Sequence, residues 1–471
     1  MNSYRLVFMC LENAKRELDG KIILAASILS HSPETIIVIG DQNVLFKVIL
    51  ILRVKALILV KSAQFYMYKY FKRIKKQNSV IILQDEEGMF TMEDDGISGT
   101  NRNYNIVKKY VDFVFCWNKK EYHSYKGLRS STKILITGNP RTSILGSGVA
   151  QKFYQRQIED IKSEYGKFIL YCSTFCQAIP YGKLSASEYL ELVKLSESYS
   201  QTEYERQVAW SRYVHYSVFE ILSFIKEHSE RYSCGLTQTK LVFRPHPSDD
   251  LAFILKLFGD LPGVFIEDKY PIAPWLCCAD AVFGSTCSTL VEAAAAGNIP
   301  ISYLPRSSLS IREYLVDLAV NKVGLIVADS RQIQCVLSKV GDDRDSIINS
   351  LKKDECRNGK LNSLIGPCDS ISKQAEVIHS NCQFLIKDLR TKFTVTSIVY
   401  FVSLLSILVK AAYFVKASLT SRAAGRIDAR EDKFSYLDLD REQIRRRISE
   451  YSNGGVKIEL LNSSVLILSS K

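Results

Sequence analysis

Three short runs carry the residues best placed to do chemistry. In Leu241-Val242-Phe243-Arg244-Pro245-His246-Pro247-Ser248 an apolar run delivers an arginine and a histidine to its carboxyl end. In Phe283-Gly284-Ser285-Thr286-Cys287-Ser288-Thr289-Leu290-Val291-Glu292-Ala293 a second apolar run ends in hydroxyls that lead into a helical pattern. In Gln84-Asp85-Glu86-Glu87-Gly88 three acids follow a third apolar run. Two strand ends of one sheet converging on a helix N-terminus make a site for a phosphate-bearing ligand. Ser285, Thr286, Ser288 and Thr289, with backbone N–H groups, would hold the phosphate, and Arg244 and His246 would neutralise it. That chemistry points to an enzyme using a nucleotide-activated donor.

Each run also has a plainer reading. A lone histidine is usually structural, but proline cannot extend a central strand, so Pro245 and Pro247 hold His246 at a strand end in a fixed, extended segment. There it could donate a hydrogen bond or a proton to a leaving phosphate. Thr289-Leu290-Val291-Glu292 fits a capping box, which needs only helix energetics. Glu292 also lies one turn from Ser288 and could reach a ribose hydroxyl. The acids could be a solvated turn. At a strand end they would face a ligand site, where one carboxylate could take a proton from an acceptor hydroxyl and like-charge crowding would raise its pKa. Asn139-Pro140-Arg141 would contact donor or acceptor, while Arg16-Glu17-Leu18-Asp19 reads as structural ion pairs more than as a cleft lining. Asp438-Leu439-Asp440 has no strand before it and is set aside as a metal motif.

These residues must be positioned by alternating strands and helices. Arg5–Cys10, Thr35–Ile39, Ala56–Val60, Ser79–Leu83, Val111–Cys116 and Lys133–Thr137 read as strands, with an amphipathic helix over Arg16–Leu29. The pattern restarts with strands at Phe168–Cys172, Lys240–Arg244, Gly263–Ile266, Ala281–Phe283, Ile299–Tyr303 and Gly324–Val327, a long helix over Ser185–His228, and a helix over Ser288–Ala296 stopped by Gly297. This is the order of parallel, doubly wound sheets. The expected fold class is α/β, with two Rossmann-like domains facing a cleft and a helical apolar C-terminal extension. The domains are expected at residues 1–150 and 165–385, the apolar helix at 390–418 and a charged tail at 419–471. Phe393–Val415, interrupted by Lys410, is marginal for a membrane span and reads as a span, an interfacial helix or a buried helix. Val456–Leu468 reads as one strand-like run.

A chain of 471 residues is too long for one ordinary core. Its formal charge of +12 is scattered over runs such as Lys72-Arg73-Ile74-Lys75-Lys76, Lys108-Lys109, Lys119-Lys120 and Arg445-Arg446-Arg447. Each run is either a solvated helix face or an attraction for anionic lipid or glycan. No aromatic–basic stacking platform indicates nucleic acid. Twelve cysteines without metal spacing, several inside apolar strands, read as reduced thiols of a cytoplasmic protein and give no zinc site.

Taken in order, Arg16-Glu17-Leu18-Asp19-Gly20-Lys21, Asp85-Glu86-Glu87-Gly88, Phe113–Trp117, Thr137-Gly138-Asn139-Pro140-Arg141, Arg244–Ser248 and Gly284–Ala293 resemble the bacterial surface carbohydrate biosynthesis protein family over residues 4–335. The acidic, His-Pro and Ser/Thr motifs also resemble those of bacterial sialyltransferases and polysialyltransferases. The resemblance implies a GT-B fold and an inverting, metal-independent glycosyltransferase with a CMP-activated acidic sugar as donor and no cofactor. It implies Glu86 or Glu87 as base, beside Asp85 and Gly88, with His246 on the leaving phosphate. It implies Ser285, Ser288 and Thr289 on the CMP moiety. Expected partners are a nucleotide-activated sugar, a surface polysaccharide or lipid-linked glycan acceptor, and the inner face of the plasma membrane. Two other classes stay open: a CDP-polyol phosphotransferase of teichoic-acid type, and a non-catalytic glycan-binding scaffold.

Overall fold

The computed structural model describes residues 5–63, 67–86, 104–125, 131–146, 148–175, 201–246, 249–307, 311–381, 456–462 and 465–470. The chain divides into two units. Unit 1 comprises Met1–Ile144 with Gly366–Lys471, and unit 2 comprises Leu145–Ile365.

Unit 1 is built on strands whose residues are buried on both faces. Along β1 (Arg5–Leu11), Leu6, Phe8 and Cys10 enter one core while Val7, Met9 and Leu11 enter another. Only a sheet covered on both sides asks for such a continuous apolar run, which is why parallel strands lack hydrophobic alternation. β2 (Thr35–Asp41), β3 (Leu57–Val60), β4 (Val80–Leu83), β5 (Phe113–Cys116) and β6 (Lys133–Ile136) complete a parallel array in the order β2-β1-β3-β4-β5-β6. All their carboxyl ends therefore lie on one edge.

Three features of unit 1 depart from the sequence expectation. The helix Ala14–His31 is buried nearly all round, including Glu17, Asp19 and Lys21, rather than amphipathic. The helix Ser370–Asn381 packs on it and buries Ala375 and Ile378 in the same core as Leu18 and Ile22, while Glu17 and Lys21 are buried against Lys61 and Glu86. That helix was expected in the second domain, but the chain rejoins unit 1 at Gly366. The run after Val456 is a hairpin and not one strand: β13 (Val456–Asn462) pairs antiparallel with β14 (Val465–Ser470), and β14 pairs antiparallel with β2. It covers a sheet edge that would otherwise present unpaired backbone groups. The apolar extension at 390–418 and the rest of the tail lie outside the described residues. Among the described residues no helix is long and apolar enough to cross a membrane.

Unit 2 has a six-stranded parallel sheet. Its strands are β7 (Phe168–Cys172), β8 (Lys240–Arg244), β9 (Val264–Ile266), β10 (Ala281–Gly284), β11 (Pro300–Tyr303) and β12 (Leu325–Val327), in the order β12-β11-β10-β7-β8-β9. The long helix Gln201–Ser233 packs Val214, Ile221, Phe224 and Ile225 against Ile169, Tyr171, Leu241 and Phe243. The cysteines of the described residues are all free thiols.

Candidate functional site

In unit 2, three adjacent strands end at one level. Cys172 of β7 is registered with Arg244 of β8, and Tyr171 with Phe283 of β10. Gly284 therefore closes up beside Cys172: a Cβ on it would stand 3.3 Å from the Cys172 carbonyl oxygen. The chain then runs through Ser285, which is buried, to the half-buried Thr286, Cys287, Ser288 and Thr289. The helix Ser288–Ala295 starts there with Cys287 at the N-cap and no side-chain cap. The expected capping box is not formed, because Thr289 is already inside the first turn. The first-turn N–H groups are thus served by no capping side chain and point at the carboxyl edge of the sheet, an arrangement that suits an anion.

Thr286 sits at φ 47, in the left-handed region and without being glycine. Its Oγ1 accepts a hydrogen bond from Asn321 Nδ2 at 3.1 Å, and Asn321 is itself fully buried and anchored to the Leu315 carbonyl at 2.8 Å. Backbone strain of this kind is sustained only where surrounding contacts impose it, and it gathers at functional sites. Asn321 was not singled out in the sequence, since an asparagine in a short 3-10 turn carries no pattern. Glu292 is buried in the next turn. Burial pushes the neighbouring Cys172 thiol well above its ordinary value, with Cys287 and Glu292 adding to the effect.

The two residues expected to neutralise phosphate fare differently. His246 is exposed, and its loop is tied by Asp249: the His246 N–H donates to Asp249 Oδ2 at 2.8 Å and the Asp249 N–H donates to the His246 carbonyl at 2.8 Å. Pro247 lies outside the described residues. Arg244 is buried. Its guanidinium donates to the carbonyls of Glu267 at 3.0 Å, Lys269 at 2.7 Å and Tyr270, and lies 5.6 Å from the Trp275 ring centroid. These contacts pin the loop after β9.

In unit 1, charged side chains collect at the carboxyl ends of β1, β3, β4 and β6. Glu86, the third residue of the loop after β4, is 3% exposed and accepts from Lys21 Nζ at 2.9 Å and Asn139 Nδ2 at 3.0 Å. Lys21 also donates to Gln84 Oε1 at 3.1 Å. Beside this pair, Lys61 bridges Glu12 at 2.8 Å and Glu17 at 3.4 Å. Arg141 lies over the Trp117 ring at 5.3 Å, and the Trp117 indole donates to the Asp85 carbonyl. Glu87 and Gly88 lie outside the described residues.

The pKa of Glu86 moves opposite to the expectation. Burial pushes its carboxyl up, but Lys21, Arg141 and the bonds from Lys21 and Asn139 outweigh burial and lower it to about 2. Glu17, by contrast, is raised by burial despite Lys61. The residues read as structural in the first helix, Glu17 and its neighbours, thus share one buried network with the acidic motif. The glycine of Thr137-Gly138-Asn139 has a positive φ of 76, and a Cβ there would come within 2.6 Å of the Pro367 carbonyl oxygen. The Gly138 carbonyl accepts from Gln374 Nε2 at 2.9 Å. Among the described residues no three His, Cys, Asp or Glu side chains come together as a metal set.

No family model and no curated protein matches the chain. Among solved structures it is similar to the S. aureus MnaA–UDP co-structure, at 12% identity over 80% of this chain and 96% of that one, with a TM-score of 0.49. It is also similar to the Methanocaldococcus jannaschii UDP-GlcNAc 2-epimerase in complex with UDP-GlcNAc and UDP, at 11% identity over 80% and 99% with a TM-score of 0.46. A third is the wall teichoic acid polymerase TagF, at 11% identity over 80% and 89% with a TM-score of 0.47.

Proposed function

We propose that this chain is a GT-B-type glycosyltransferase that moves a sugar, of the CMP-linked acidic class, from a nucleotide donor to a surface polysaccharide or lipid-linked glycan at the inner face of the membrane. The observation that carries the reading is the level ending of β8, β7 and β10, from which Ser285–Thr289 opens onto an uncapped helix start while the His246 loop leaves β8. In this reading the hydroxyls of Ser285, Thr286, Ser288 and Thr289 and the first-turn N–H groups bind the donor phosphate, Glu292 takes a ribose hydroxyl, and Arg244 shapes the loop beside them. The leaving charge is met by these groups and by His246, so the reaction asks for no metal.

Transfer is a single displacement. A carboxylate of the acidic motif takes the proton of the acceptor hydroxyl, whose oxygen bonds to the anomeric carbon from the face opposite the phosphate. The bond from carbon to phosphate oxygen breaks, its electron pair leaves with the phosphate, and His246 donates a hydrogen bond or proton there. Configuration inverts. A base works best with a pKa near the working pH, and Glu86 is held at about 2. We therefore assign proton abstraction to Asp85 or Glu87 and give Glu86, with Asn139 and Arg141, the task of holding the loop.

Thermal shift with CMP, CDP, UDP, GDP, CMP-linked acidic sugars and CDP-polyols tests the donor. A ligand at a hundred times its Kd stabilises by about 2.7 kcal/mol. Stabilisation by CMP that disappears in His246→Ala supports the reading. Stabilisation by UDP or GDP that ignores His246→Ala overturns the donor class. Turnover of a CDP-polyol with phosphorus retained in the product assigns the polyol-phosphate reaction instead.

A further inference from the structure

Two helices of unit 1 outside the candidate site carry a concentrated positive charge, and among the described residues only Lys75 of these cations is in an ion pair. In the helix Tyr68–Lys75, Phe71 and Ile74 are buried, and the opposite side presents Lys69, Lys72, Arg73 and the C-cap Lys76, all exposed. Their spacing of three, four and seven residues confines them to an arc of roughly 100°. The helix Tyr104–Tyr110 packs beside it through Tyr68 and Tyr110, whose rings are 5.3 Å apart, and adds the exposed Lys108 and Lys109. Lys109 Nζ lies 5.8 Å from the Tyr68 ring centroid and 5.7 Å from that of Tyr110; Lys69 Nζ lies 5.4 Å from that of Tyr70.

Neither helix contains an Asp or Glu, and none occurs from Lys61 to Gln84. Among the described residues Lys75, on the flank of the stripe, is the one of these cations that has a carboxylate, Asp112 at 2.7 Å. Folding does not call for this arrangement. Lys69 with Arg73 and Lys72 with Lys76 are like-charge pairs one turn apart, each costing a few tenths of a kcal/mol. The helix dipole favours cations in the last turn, but it accounts neither for Lys69 nor for the lack of any acid on both helices.

We infer that this helix pair is a docking face for an anionic lipid bilayer. The charge is complementary to anionic headgroups. Half-buried tyrosines set among flexible lysines are the side chains that a bilayer interface accommodates, with rings at headgroup depth and ammonium groups in water. Docking here needs neither the nucleotide site nor the apolar run near the C-terminus.

The test is flotation of the purified full chain with vesicles of phosphatidylcholine alone, or with about one-third phosphatidylglycerol. The protein is expected to float with the phosphatidylglycerol vesicles alone, and to be released as salt rises from about 0.1 M to about 0.5 M. Each cation near the surface contributes about 1 kcal/mol, about fivefold in partitioning. Lys69→Gln/Lys72→Gln/Arg73→Gln/Lys76→Gln should therefore weaken binding by at least about a hundredfold, with an unchanged melting temperature because all four residues are exposed. Lys108→Gln/Lys109→Gln, a smaller change on the second helix, should weaken it about twenty-five-fold. Equal binding to both vesicle types, or wild-type binding by both variants, overturns the inference. So does capture by soluble dextran sulfate without vesicle binding, which would make the face a polyanion site.

Discussion

Replacing Lys21 by methionine isolates the buried charge network of unit 1. The substitution keeps the unbranched apolar stem without the ammonium and leaves Glu86, 3% exposed, without its 2.9 Å partner. Removing one member of a buried pair typically costs about 3–5 kcal/mol. Arg141 and Asn139 remain on Glu86, so the lower end, about 3 kcal/mol, is expected. The pKa points the same way: despite burial, Lys21, Arg141 and Asn139 hold the Glu86 carboxyl below its ordinary value. The sign follows from linkage. A carboxyl depressed in the folded state contributes its stability above the unfolded value near 4.5, and that contribution is lost as pH falls toward 2. The deficit of Lys21→Met should thus be full at pH 7 and shrink below about pH 4, where the wild type loses the same contribution.

The assay is urea unfolding of wild type, Lys21→Met, Glu86→Gln and the double variant at pH 7 and at low pH, with hydrogen exchange of β1 and β4 peptides as the readout. Those peptides report unit 1 without assuming that both units unfold together. Because replacing both partners removes the uncompensated charge, the double variant should return to within about 1 kcal/mol of wild type. A single variant within about 1 kcal/mol of wild type at pH 7, or a double variant as unstable as Lys21→Met, would refute the buried pair as the organising element of the loop.

Arg244→Ala should lower stability by about 2–4 kcal/mol in thermal melting, since the carbonyls of Glu267, Lys269 and Tyr270 lose a charged donor. Arg244→Lys should rescue little, because an ammonium cannot reproduce the planar fork over Trp275. His246→Ala, at an exposed position, should melt within about 0.5 kcal/mol of wild type while losing nucleotide stabilisation, which thermal shift measures in one plate. Asn321→Ala removes the donor that holds Thr286 at positive φ. It should cost about 1–3 kcal/mol in melting and weaken nucleotide binding together with it. Gly138→Ala, with a positive φ and a carbonyl 2.6 Å from the new Cβ, should destabilise unit 1 by more than about 1 kcal/mol, read by hydrogen exchange at β6.

The strands were legible in the sequence because burial on both faces of a parallel sheet writes itself as unbroken apolar runs. The strand ends, and with them Ser285–Thr289, Asn139 and Glu86, followed directly. The helix Ser370–Asn381 was not, since nothing local distinguishes a helix that stays with its own unit from one that returns to another. Missing partners also made Ala14–His31 look amphipathic: Ser370–Asn381 packs on it, and Glu17 and Lys21 are buried against Lys61 and Glu86, which are distant in sequence. The hairpin after Val456 was hidden for a related reason, as one apolar run and two short antiparallel strands have the same composition.

The charged residues show the deeper limit. Read along the chain, Asp85, Glu86 and Glu87 are neighbours that repel, and repulsion in water raises a carboxyl's pKa. Read in space, Glu86 has Lys21 from the first helix, Asn139 from the loop after β6 and Arg141 from the helix Pro140–Gly146 that follows it, and the sign reverses. Arg244 makes the same point, since an arginine at a strand end beside hydroxyls suggests a free cation until the carbonyls of Glu267, Lys269 and Tyr270 are seen to engage its guanidinium. Desolvation makes such pairings decisive: a charge that leaves water must be answered by whatever the fold brings within about 3 Å, and sequence neighbours have no priority in supplying it. In the proposed reaction the proton-accepting role is therefore given to the acids flanking Glu86. The pH profile of Asp85→Asn would divide that role between Asp85 and Glu87: losing the acidic limb assigns the base to Asp85, and keeping it assigns the base to Glu87.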